Sequence, residues 1–324
     1  MKFVVLKNKK KYMENNILGI HHITAISGPA QRNYDFYSKT LGLRFVKKTV
    51  NFDDPETYHF YYGDENGTPG TILTFFPWTY AKRGTDGVGM ATEIGYSVPE
   101  GSLDFWEERL SIADIKNGPR AERFGETYLP FTDPDGLKLS LVVPSKKDDR
   151  TAWTTSEVDA SVATRGFHHV TLTLRDVKPT AAILTDVFGY KLLQQEGSYY
   201  RFITDAVDTA AIVDILELPN EKPGINAGGT NHHVAFRVKD EATLMHFREK
   251  VLAKGLRITE KIDRNYFYSL YFREPGGVLF EIATDNPGFA VDEPANELGM
   301  HLKLPYQHEP YRDTLEKILP PLIY

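Results

Sequence analysis

The chain repeats itself, and that repetition limits its fold more than any other feature. Gly19-Ile20-His21-His22-Ile23-Thr24 returns as Gly166-Phe167-His168-His169-Val170-Thr171 and again as Thr230-Asn231-His232-His233-Val234-Ala235. Each copy opens with a β-branched run of strand character. A polar turn follows, then a stretch with apolar residues at helical spacing, such as Leu244, Phe247 and Val251. A glycine stands after each helix, at Gly42, Gly189 or Gly255, where a residue without Cβ can take the left-handed conformation that ends a helix. Three more strand-like runs complete the unit. In the last copy these include Tyr266 to Phe272 and Val278 to Ala283, joined by the hairpin sequence Glu274-Pro275-Gly276-Gly277. A fainter copy between Met90 and Val143 has Glu93-Ile94-Gly95-Tyr96-Ser97-Val98 over the first strand and Asp133-Pro134-Asp135-Gly136 over the last turn, but no histidine.

The unit is therefore βαβββ and occurs four times, over Leu18 to Pro77, Gly89 to Pro144, Arg165 to Pro219 and Gly229 to Ala283, with Ser145 to Thr164 as a polar linker. One such module cannot bury both faces of its short sheet, so modules must pair into curved, barrel-like sheets whose concave sides form clefts. The expected class is α+β, with two curved mixed sheets and a C-terminal capping tail. The 324 residues divide into a first module pair in sequence at 17–144, a second at 165–285, and a cap at 286–324 that carries a helical pattern from Tyr311 to Leu319. The opening segment, Met1 to Asn16, reads as a disordered lead-in.

Composition excludes several classes of chemistry. The absence of cysteine removes disulfides, thiolate ligands and a cysteine nucleophile, leaving oxygen and nitrogen donors for any metal. A net charge of −6 with dispersed Lys and Arg argues against a nucleic-acid partner. No apolar run approaches the roughly 20 residues of a membrane span, and the expected location is the cytoplasm with a small-molecule partner.

The modules differ where chemistry would sit. The last places His233 on its first strand and Glu281 on its last, and the second has Glu93 and Ser140 at the matching positions. A carboxylate inside Val278-Leu279-Phe280-Glu281-Ile282-Ala283 is costly unless paired or bound to a metal. Strand alternation would send the two side chains of each His-His pair to opposite faces, so one imidazole per pair could reach a metal. A third ligand must come from another module, and spacing leaves both His22 and His169 open. His59, His246, His301 and His308 recur at no matched position and are expected outside the site. Phe75, Phe76, Trp78 and Tyr80 are candidates for an aromatic pocket or for plain core.

The modules resemble the vicinal oxygen chelate (glyoxalase/bleomycin resistance/extradiol dioxygenase) superfamily. Leu18 to Thr24, Asp35-Phe36-Tyr37, the run Leu41 to Val50, Asn231 to Phe236, Tyr271 to Gly277 and the closing Leu-Pro and Leu-Pro-Pro-Leu pattern resemble its hydroquinone-type ring-cleaving dioxygenases. The resemblance implies iron(II), with Mn(II) or Zn(II) able to replace it in a purified sample, held by His22, His233 and Glu281. It also implies that modules one and four share the metal cleft, favours His22 over His169, and sets His21, Thr24, His232, Arg264 and Tyr271 around the substrate. The implied partners are a small aromatic compound and O2, and a homo-oligomer is compatible with the sequence. Two other activities fit the same scaffold: a Zn or Ni glyoxalase-like isomerase, and a ligand-binding member without catalysis.

Overall fold

The structure is a computed structural model that describes residues 15–324. The lead-in expected at Met1 to Asn16 lies, up to residue 14, outside the described residues.

Among the described residues, sixteen strands form two eight-stranded sheets. Module one supplies β1 (Ile20–Ser27), β2 (Arg44–Val50), β3 (Tyr58–Gly63) and β4 (Ile72–Pro77). Module two supplies β5 (Met90–Ser97), β6 (Ala121–Arg123), β7 (Glu126–Thr132) and β8 (Lys138–Val142). Module three supplies β9 (Phe167–Leu174), β10 (Lys191–Glu196), β11 (Tyr199–Ile203) and β12 (Ile212–Glu217). Module four supplies β13 (Thr230–Val238), β14 (Ile262–Asp263), β15 (Phe267–Arg273) and β16 (Leu279–Pro287). The sheet orders are β14-β15-β16-β13-β1-β4-β3-β2 and β10-β11-β12-β9-β5-β8-β7-β6. Modules one and four thus share one sheet through the antiparallel β1–β13 pair, and modules two and three share the other through β5–β9. Modules one and two do not share a sheet, nor do modules three and four.

Odd and even modules differ in their helices. In modules one and three a short α-helix, Ala30–Tyr34 or Val177–Ala182, runs into a π-helix, Asp35–Thr40 or Ile183–Val187. In modules two and four the helices Leu103–Ile112 and Glu241–Ala253 are regular, the last capped by the Asp240 carboxylate accepting from Thr243 N. Gly42, Gly189 and Gly255 all have φ near +70°, at 68°, 76° and 76°, as expected of helix stops. Buried Phe36, Tyr37, Trp106, Phe188, Phe236 and Phe247 join these helices to the sheets.

The tail after β16 wraps module one. Lys47, wholly buried, places Nζ 2.7 Å from both Asp292 Oδ1 and Glu293 Oε2. His308 Nε2 donates to the Phe52 carbonyl at 3.1 Å, tying the tail to the loop between β2 and β3. That loop forms one lip of the cavity described next.

Candidate metal centre

All three residue pairs of the His-His repeat sit at β-bulges, and the first histidine of each pair is the extra residue. Pairing passes from Ile20 to His22 on β1, from Asn231 to His233 on β13 and from Phe167 to His169 on β9. A bulge breaks the strict alternation that would have separated the side chains. Instead the rings touch, with Nδ1 to Nδ1 distances of 2.9 Å for His21–His22, 2.8 Å for His232–His233 and 2.9 Å for His168–His169. The expectation of opposite faces fails for this reason.

The contact fixes a tautomer. His21 Nε2 lies 3.1 Å from the Thr284 carbonyl, which can only accept, so the His21 proton is on Nε2. Burial, aided by His22 beside it, holds the His21 pKa well below the ordinary value, so its Nδ1 is bare at neutral pH. His22 Nδ1–H then donates to His21, leaving His22 Nε2 as the atom that can bind an ion.

That atom meets two others. His22 Nε2 is 3.2 Å from Glu281 Oε2, His233 Nε2 is 2.8 Å from the same oxygen, and the two imidazole nitrogens are 3.4 Å apart. His22, His233 and Glu281 are all buried, and their donor atoms lie within 4.8 Å of one another. These separations fit the adjacent corners of an octahedron, about 3 Å apart for metal–ligand bonds of about 2.1 Å. Glu281 is fully buried, and its Oε2 has no hydrogen-bond partner. Such an orphaned oxygen between two imidazoles is what a divalent cation would satisfy. Burial alone would raise the Glu281 pKa, but the His22 and His233 imidazoles hold it well below the carboxylate range. Burial also lowers the His233 pKa, against the pull of Glu281, favouring the neutral form that ligation needs. The Ser269 hydroxyl donates to Glu281 Oε1, fixing the carboxylate from behind; no sequence motif pointed to that residue.

Strand pairing separates the two candidates for the third imidazole. His22 lies on β1, beside β13, whereas His169 lies on β9 in the other sheet.

A cavity of about 340 Å³ opens above His22 and His233. Of the residues expected around a substrate, His232, Arg264 and Tyr271 line it. His21 and Thr24 are not among its lining residues: His21 stands behind His22, and Thr24 Oγ1 lies 2.8 Å from Thr74 Oγ1. Arg264 Nε donates to the Tyr271 hydroxyl at 3.3 Å, and its Nη1 lies 3.4 Å from Asp53 at the cavity lip. Burial raises the Tyr271 pKa, so the phenol keeps its proton. The His232 pKa falls to about 3, mainly by burial and next by the His233 charge.

His59 corrects the sequence reading that set it outside the site. It lines the cavity, with Nδ1 2.9 Å from the Tyr61 hydroxyl and Nε2 2.9 Å from Thr74 Oγ1. The available signal was period-two spacing, since His59 and Tyr61 share one face of β3; lack of recurrence in other modules outweighed it. Phe76 and Trp78 also line the cavity, while Phe75 is in the core and Tyr80 is 95% exposed.

Comparisons with known proteins place the fold in a family. The model of the Glyoxalase/Bleomycin resistance protein/Dioxygenase superfamily matches residues 19–141 and 166–282. The chain belongs to this superfamily. Among its glyoxalase/dioxygenase relatives, MhqO of Bacillus subtilis, assigned as a ring-cleaving dioxygenase, is 44% identical over 95% of this chain and 98% of its own length. The chlorohydroquinone/hydroquinone 1,2-dioxygenase of Sphingobium indicum is 36% identical over 94% of this chain and 96% of its own. A crystal structure of a Bacillus subtilis protein assigned as a dioxygenase superposes with a TM-score of 0.91 at 44% identity, covering 95% of this chain and 98% of that one. Glyoxalase I of Zea mays, at 14% identity and a TM-score of 0.61 over 87% of this chain and 97% of its own, shows the shared superfamily fold alone.

Proposed function

We propose that the chain is a ring-cleaving dioxygenase that holds iron(II) on His22, His233 and Glu281 and opens an electron-rich hydroquinone or catechol ring with O2. The observation that carries this reading is the convergence of two imidazole nitrogens and one orphaned carboxylate oxygen at the base of an aromatic-walled cavity. The names of the relatives from Bacillus subtilis and Sphingobium indicum support the reaction class. Bound iron(II) would accept a phenolate oxygen and supply a one-electron path between ring and O2, which zinc cannot.

The protein groups do the positioning. Phe76, Trp78 and Phe267 offer faces and edges for one aromatic ring. Tyr271, engaged as an acceptor by Arg264, has its proton free to donate to a substrate oxygen. His232, neutral at pH 7, can hydrogen-bond a substrate oxygen at the cavity wall. Arg264 lies over the Phe52 ring, 5.8 Å from its centroid, and both line the cavity. Both atoms of O2 enter the opened product, so no external reductant is needed. In the same reading the enzyme works in the cytoplasm; among the described residues no helix is long and apolar enough to cross a membrane.

The test is anaerobic reconstitution with Fe(II), followed by oxygen uptake against a panel of hydroquinones and catechols. Wild type should consume O2 with at least one of them, and Glu281→Ala should lose both metal and uptake while staying folded. Uptake retained in Glu281→Ala, or hemithioacetal turnover under nitrogen without any oxygen uptake in air, would overturn the proposal.

A further inference from the structure

The second sheet holds the same scaffold positions with different occupants. Glu93 faces Thr171 as His233 faces Thr24, and Ser140 stands beside Gly95 as Glu281 stands beside Ala235. Asp214 stands beside Thr171 as Thr74 stands beside Thr24, and Arg201 pairs with Asp214 as Tyr61 pairs with Thr74. His169 keeps the place of His22, opposite Gly95 as His22 is opposite Ala235.

Side chains approach one another here too, less closely than in the first cleft, where alone among the described residues three donors lie within 4.8 Å of one another. His169 Nε2 lies 3.5 Å from Glu93 Oε1 and 4.0 Å from Asp214 Oδ2. It is buried and has no hydrogen-bond partner, as is true of Glu281 Oε2 in the first cleft. What differs is a permanent cation on each carboxylate. Arg201, 4% exposed, sets Nε and Nη2 on the two Asp214 oxygens at 2.9 and 2.8 Å and Nη1 on Glu126 Oε2 at 2.5 Å. Arg123 holds Glu93 with two contacts of 3.3 Å. The first cleft has the uncharged Tyr61 where Arg201 stands.

We propose that the second sheet contains a latent divalent-cation site, with His169, Glu93 and Asp214 as its donors, held closed by the Arg201 guanidinium. A guanidinium cannot lose its proton under physiological conditions, and its planar fork engages both Asp214 oxygens at once. An entering ion would have to strip Asp214 from Arg201 and leave a buried cation without that partner, a heavy penalty in a low-dielectric site. In this proposal the fold carries two clefts at matching scaffold positions and admits an ion to one. Freed of Arg201, one imidazole and two carboxylates would form an oxygen-rich set suited to Mn2+. The inference uses the first cleft as its template and so rests on reading that cleft as a metal site.

The experiment counts bound Mn2+ in the full chain by elemental analysis and by the electron paramagnetic resonance of the free ion. Wild type should bind one ion per chain, Arg201→Ala and Arg201→Tyr two, and Arg201→Ala combined with His169→Ala one again. Folded Arg201 variants that bind no more than wild type overturn the proposal. Absence of binding in wild type would instead sink the reading of the first cleft, and a rise from zero to one in the variants would still support the latent site. The reciprocal change is independent of how the Arg201 variants fold. Tyr61→Arg with Thr74→Asp transfers the plug, and the wild-type ion should be lost; its retention overturns the proposal.

Discussion

Ser269 tests how far the metal centre depends on a residue that touches no ion. It is fully buried on β15, and its hydroxyl donates to Glu281 Oε1, while Glu281 Oε2 faces His22 and His233 at 3.2 and 2.8 Å. Ser269→Ala removes that bond and leaves one carboxylate oxygen buried without a donor. A hydrogen bond to a charged acceptor stabilises by roughly 1.5–3 kcal/mol, so the metal-free protein should lose on the order of 2 kcal/mol in urea unfolding. Part of that loss is common to the metal-free and metal-bound states. The share felt in binding comes from the carboxylate now being free to turn Oε2 away from the imidazoles. Loss of such outer partners weakens metal affinity by about 10- to 100-fold, or roughly 1.4–2.8 kcal/mol. Competition titration of Mn2+ against a chelator of known strength measures the change directly. If Ser269→Ala binds Mn2+ as tightly as wild type, the claim that Ser269 aims Glu281 is refuted.

Two further outcomes follow from the same geometry. Tyr271→Phe removes a neutral hydroxyl from the cavity wall and keeps the ring that packs edge-on against His233, so metal content should be unchanged while kcat falls on the order of 10²-fold; a fall in metal content instead would give Tyr271 a structural role. Asp133, buried in the Asp-Pro-Asp-Gly turn, has its pKa raised from 3.8 to about 6, first by burial and then by Asp135, a gap of roughly two units or about 3 kcal/mol. Because the folded state holds this proton more tightly than the unfolded one, the stabilisation is complete below pH 4 and is lost as pH rises through about 6. Asp133→Asn should not show this loss, and parallel wild-type and variant stability curves between pH 4 and 7 would contradict it.

The scaffold was legible in the sequence because repetition is a local signal. The glycine stops at Gly42, Gly189 and Gly255 all take positive φ, and the Glu274-Pro275-Gly276-Gly277 sequence does join β15 to β16. Glu281 stood out because a carboxylate in an apolar strand demands a partner. His59 was not legible. Whether a face of β3 looks into a cavity or a core is set by the curvature of a sheet whose other half is contributed by module four.

The amino-acid sequence by itself determined the repeated βαβββ unit, the absence of thiolate donors and the supply of imidazoles and one buried carboxylate, since periodicity and residue chemistry act over a few residues. Tertiary structure decided which of those imidazoles meet. His22 and His169 occupy the same place in nearly the same hexapeptide, and only the long-range choice of β13 or β5 as neighbour puts one beside Glu281 and the other beside Glu93. Strand pairing joins residues more than 200 positions apart, His22 with Ala235 and Thr24 with His233, through backbone hydrogen bonds that carry no mark in the local sequence. The bulge that presses each His-His pair together, and the guanidinium that closes the second cleft, are likewise consequences of register.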